Sequence, residues 1–135
     1  MRGKINFIQQ GKDACSFSAT LPPLPAPLTL TGVTAILEIS GVREEFVING
    51  NGIGTNTNGN LILNAKKNLL SVRLANGSWA ETWSGVGIDP HATIRNSTLQ
   101  FDIRLSVETT VFTGKATVKY ASRAGKSGSF KAAQR

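Results

Sequence analysis

Residues 98–120 read TLQFDIRLSVETTVFTGKATVKY, and this stretch decides the fold. Leu99, Phe101, Ile103, Leu105 and Val107 fall on one side of an extended chain, and Gln100, Asp102, Arg104, Ser106 and Glu108 on the other. After Thr109 and Thr110 the alternation resumes. Phe112, Ala116, Val118 and Tyr120 then lie on the apolar side, with Thr113, Lys115, Thr117 and Lys119 opposite. Only a strand sends successive side chains to opposite faces, so the spacing predicts two long antiparallel strands joined by a tight turn. An apolar face of this length needs a covering layer.

The earlier part of the chain supplies that layer. Lys4 to Ile8 alternates weakly, and Cys15, Phe17, Ala19 and Leu21 alternate clearly with Ser16, Ser18 and Thr20. Four of the five prolines follow between Pro22 and Pro27. Proline has no ladder donor, so this segment reads as an extended crossover or a blunted edge; a PxxP ligand for an aromatic groove is the functional alternative. Val33, Ala35, Leu37 and Ile39 form the next apolar face, and Ser40-Gly41 turns the chain into Arg43 to Ile48. Asn49 to Asn60, NGNGIGTNTNGN, reads as a long hairpin tip or a mobile loop, because Asn and Gly tolerate positive φ and offer little to bury. Leu61 to Leu63 and Leu69 to Leu74 make a further hairpin. Ser78-Trp79-Ala80-Glu81 fits a capping box, which predicts a helical turn over 78–84 with Trp79 and Trp83 on one face.

No run holds a 3.6-residue period over ten residues, which argues against bundles and βαβ folds. The expected fold is all-β: an antiparallel β-sandwich of seven to eight strands, with a small β-barrel as the alternative. At 135 residues the chain is one domain by length. Residues 1–121 carry the strand pattern. Residues 122–135 are small, polar and basic, and read as a frayed end or a short edge strand near Ser129 to Lys131.

Composition narrows the chemistry. No apolar run approaches the roughly 18–20 residues of a membrane helix, and the opening MRGKINFIQQ lacks the pattern of a signal peptide. The single cysteine, Cys15, sits at an inward strand position and suits packing rather than reactivity. One histidine, His91, limits any Ser–His–Asp triad to Asp89 or Asp102, and no Gly-x-Ser-x-Gly elbow presents a nucleophile. One imidazole and one thiol do not fill a zinc shell, and the Asn/Gly stretch lacks the carboxylates of a calcium loop. No glycine-rich phosphate loop precedes a helix. Paired carboxylates of the glycoside hydrolase kind are the remaining enzymatic alternative. However, Glu44 and Glu45 point to opposite faces of a strand, and Glu38, Asp102 and Glu108 read as exposed charge. The expectation is a non-enzymatic protein without a cofactor or metal.

Several pieces together resemble a known pattern: the opening GKINF, DACSFSAT at 13–20, the NGNGIGT turn, LANGSWAETWSGVGI, and VKYASRAGKSGSF near the end. The chain resembles an uncharacterised β-rich module found as a C-terminal or repeated domain of large bacterial surface and secreted proteins. That resemblance implies an extracytoplasmic setting and an accessory role, and it assigns no catalytic residue.

Binding is the function class the residues favour. Trp79 and Trp83 lie in an irregular segment where rings can stack on sugars, which makes a carbohydrate-binding module one expectation; the alternative is that they cap an open end of the fold. The net charge of +7 is concentrated late in the chain, where Lys115, Lys119, Arg123, Lys126, Lys131 and Arg135 follow one another with no acid between. Those six residues are the candidate polyanion site. Exposed edge strands offer a third route, self-association.

Overall fold

The computed structural model describes residues 1–22, 32–64, 66–108 and 110–132. The proline-rich link is outside this set from residue 23 to 31, and so is Arg135. Ten strands follow in order: β1 (Arg2–Asn6), β2 (Asp13–Thr20), β3 (Val33–Ile39), β4 (Val42–Ile48), β5 (Ile53–Asn56), β6 (Gly59–Asn64), β7 (Leu69–Gly77), β8 (Ile94–Val107), β9 (Thr110–Arg123) and β10 (Ser127–Ala132). All pair antiparallel in one sheet that closes in a ring, in the order β1–β10–β9–β8–β3–β4–β5–β6–β7–β2, with β2 returning to β1.

This corrects the expectation of a seven- to eight-stranded sandwich. A sandwich needs two separate sheets, but β1 pairs with both β10 and β2, so the first and last strands meet and close one sheet. Closure gives each described strand a neighbour on both sides, although β4 is laddered toward β5 only at Ile48 and keeps an open edge there. The ring is not evenly barrel-like: β4 and β5 meet in register only at Ile48 and Gly54, whereas β8 and β9 pair along nearly their whole length.

The expected hairpin tip at 49–60 is instead β5 and the start of β6. The strands escaped notice because their inward positions are glycines. A Cβ at Gly54 would stand 2.7 Å from the Phe46 Cβ, and one at Gly59 would run into the Arg73 carbonyl. Asn49 Oδ1 accepts the N–H groups of Asn51 and Ile53 at 2.9 and 3.1 Å, fixing the turn between β4 and β5. The Asn56 amide donates to the Glu45 carbonyl and to Glu44 Oε2, both at 3.0 Å, and Asn58 donates to Glu44 Oε1 at 3.1 Å. These side chains fasten the seam where the ladder is sparse.

Of the two readings of the C-terminal segment, a frayed end or a short strand near Ser129 to Lys131, residues 127–132 form the strand, though not at an edge. β9 continues to Arg123, and β10 is paired on both sides, with Phe130 buried in the core. Of the residues that decided the fold, Leu99, Phe101, Leu105 and Val107 are buried and Ile103 is half-buried. They face Leu37, Phe46, Leu61, Leu70 and Val72 from the other strands in one continuous apolar core.

Strands β3 to β7 are successive neighbours. The alternation of strand directions puts the end of β2 and the start of β3 at one end of the ring, and the link from β7 to β8 at the other. The link from β7 to β8 holds, where a helical turn was expected over 78–84, a plain turn at 80–83. Trp83 N–H bonds the Trp79 carbonyl at 2.8 Å in a single turn, and a 3-10 turn follows at Ser84–Val86. The capping box does not form. Ser78 Oγ accepts the Gly11 N–H at 2.8 Å, and the buried Asp13 supplies the cap: its Oδ2 accepts the Trp79 N–H and its Oδ1 the Asn6 N–H, each at 2.7 Å. The acceptor at the start of this turn thus comes from a carboxylate far off in sequence, and a bond to such a group is of the charge-assisted, stronger kind.

Candidate functional site

Both tryptophans lie in the plug of this end. Trp83 is fully buried and Trp79 is 6% exposed. The Trp83 ring stands 5.1 Å from Trp79, 4.7 Å from Phe101 and 6.1 Å from Phe130, and its Nε1 donates to the Ile39 carbonyl at 2.9 Å. With its one polar atom bonded and its faces covered, Trp83 has no surface for a sugar. Trp79 is packed against Gly77, where a Cβ would fall inside its ring. Of the two roles weighed for this pair, stacking on glycan and capping an open end, the buried rings fit the cap.

The outer face of β9, β10, β1, β2 and β7 has a different character. Alternation turns Lys119, Lys131, Arg2 and Arg73 outward, and strand register aligns them. Lys119 is opposite Lys131, Lys131 opposite Arg2, Arg2 opposite Ser16, Ser16 opposite Arg73, and Arg73 opposite Asn60. The next row toward the plugged end is Ala121, Ser129, Lys4 and Ala14, again in register. Small side chains make most of this second row a floor. The long cations of the first row rise on one side, and Arg95, next to the irregularity in β8, lies beyond Ala121. The result is an open groove of about 860 Å³.

Among the described residues no acid lines this groove. Of the eight acidic residues, Asp13 is buried; the other seven are Glu38 on β3, Glu44 and Glu45 on β4, Asp102 on β8, and Glu81, Asp89 and Glu108 in links. Among the described residues the ion pairs are Arg43–Glu45 at 2.7 Å and Lys115–Asp102 at 3.8 Å, and neither involves a cation of the groove.

The six C-terminal cations therefore separate. Lys119 and Lys131 lie in the groove, and Arg123 adjoins it beside Ser127. Lys126 occupies the turn between β9 and β10, and Lys115 stands in a mixed-charge depression with Glu38, Asp102 and Arg104. Arg2, Lys4, Arg73 and Arg95 were missing from the sequence-based set. Arg73 fell at an outward position of an expected strand, but Arg2 precedes the alternation that begins at Lys4 and Arg95 lies in a stretch read as irregular; the convergence of Arg2, Lys4 and Arg73 depends on β1 joining β10 and on β2 joining β7.

Little else converges. The His91 N–H bonds Asp89 Oδ1 at 2.8 Å in an exposed loop turn. Among the described residues no group of three His, Cys, Asp or Glu side chains is placed to hold a metal. Burial pushes the Cys15 thiol from its ordinary 9.0 up to about 12, with the charged N-terminus pulling weakly the other way. The neutral thiol is thus favoured by folding. Its contribution is complete below the ordinary thiol range and is lost as pH rises toward 12. At pH 8 the folded protein is expected to resist a thiol-labelling reagent that modifies Cys15 rapidly in denaturant. Equal rates in the two conditions would show that the thiol is accessible.

Compared with known proteins, the chain matches no protein-family model, no curated protein and no solved structure.

Proposed function

We propose that this protein is a non-catalytic binding domain that holds an anionic polymer on the outer face of β9, β10, β1, β2 and β7, as an accessory module of a bacterial surface or secreted protein. The carrying observation is the register of Lys119, Lys131 and Arg2. Like charges directly opposite on neighbouring strands destabilise a sheet. Here three stand on successive strands with no acid beside them, while the acids are gathered elsewhere. An arrangement that costs stability and leaves cations exposed is well suited to a ligand that brings the missing charge.

The test is salt-dependent binding to heparin by the intact chain. Point substitutions are needed, because removing residues 122–135 would take out β10 and open the ring. Arg2→Ala with Lys131→Ala is expected to weaken binding and to flatten the salt dependence by about 1–2 in slope, since each cation lost removes roughly 0.7–0.9. Lys115→Ala, away from the groove, is expected to change neither. Equal losses from the two variants would reject the groove as the site, and so would salt-insensitive binding.

A further inference from the structure

Resting on the basic face as the binding surface, we infer that its ligand is a single extended anionic polysaccharide, bearing carboxylate or sulfate groups, laid across the strands along the row from Lys119 to Asn60. The direction follows from the register. Lys119, Lys131, Arg2, Ser16, Arg73 and Asn60 stand on six successive strands. At about 4.8 Å per strand, the four cations of this row span about 19 Å. Along the strands the pattern is different: Lys119 is followed outward by Ala121, and Lys131 is preceded by Ser129. A polymer running parallel to the strands meets the pair Arg2 and Lys4 on β1, or cations four residues apart on β9, whereas one crossing them meets cations on neighbouring strands.

The chemical class follows from what lies between the charges. The neutral members of the row are a hydroxyl and an amide, Ser16 and Asn60, and the floor adds Ser129. Such groups both donate and accept, which suits the hydroxyls of a sugar chain. A single-stranded nucleic acid is ordinarily held by bases stacked on aromatic rings. The aromatics in this wall, Phe130 and Tyr120, are 3% and 1% exposed and point into the core. The groove therefore meets a polyanion with charge and hydroxyl-matching groups and offers no platform for a base.

The experiment compares a sulfated oligosaccharide with an oligothymidylate of equal charge, each titrated into the intact protein at the same ionic strength. The expected result is at least tenfold tighter binding of the oligosaccharide, with the ratio narrowed in Ser16→Ala with Asn60→Ala. A thermal melt checks that this variant is folded. Oligothymidylate binding equal to or tighter than that of the oligosaccharide would overturn the polysaccharide assignment and leave the basic face standing as a polyanion site. Binding of neither probe would overturn both.

Discussion

Trp83→Ala is expected to lower the free energy of unfolding by about 3–5 kcal/mol, the range for truncating a large buried aromatic. Two terms act together. The side chain is fully buried among Trp79, Phe101 and Phe130, and little on the open end of the ring can collapse into the space it leaves. The Ile39 carbonyl, at the last residue of β3, also loses the indole N–H that it accepts at 2.9 Å. Urea denaturation followed by circular dichroism measures the change. Trp83→Phe separates the terms, restoring most of the packing without the donor, and is expected to fall between the parent and the alanine variant. A denaturation midpoint for Trp83→Ala close to that of the parent would show that the link from β7 to β8 does not plug the core.

Replacing Asp13 by alanine should cost about 3 kcal/mol, from two hydrogen bonds to a charged acceptor worth roughly 1.5–3 kcal/mol each before relaxation. This carboxylate is 2% exposed and takes one N–H from the end of β1 and another from the start of the plug. It thus ties the first strand to the segment that closes the ring. Asp13→Asn keeps one acceptor oxygen and turns an amide donor toward the second N–H, so it should recover little. Amide hydrogen exchange at Asn6 and Trp79 is the direct readout, and both should exchange faster in either variant. Unchanged protection, with stability within about 0.5 kcal/mol of the parent, would place the cap elsewhere.

What the sequence disclosed depended on the range of the interaction responsible. The alternation from Leu99 to Val107 is a local property, and those side chains face the core as the spacing requires. The stretch at 49–60 hid two strand segments because Gly54 and Gly59 occupy inward positions where neighbouring atoms leave no room for a side chain. The tryptophans were correctly placed on one turn, with the Trp83 N–H on the Trp79 carbonyl. Whether that turn faced solvent or core depended on Asp13 and Ile39, which are remote in sequence. The groove was legible only in part. A run of late cations was visible, but its register with Arg2 and Arg73 exists only once the sheet has closed.

The pairing of β1 with β10 carries a kinetic consequence. Arg2 and Lys131 are partners across almost the full length of the chain, and this contact repays its loop-closure entropy only after the intervening hairpins exist. Local pairs such as β3–β4 and β8–β9 have a head start, while the N-terminal ribbon waits for the last strand to arrive. Folding is thereby expected among the slow, high-contact-order cases, on the order of milliseconds to seconds, with the groove completed late; a refolding time in microseconds would contradict this.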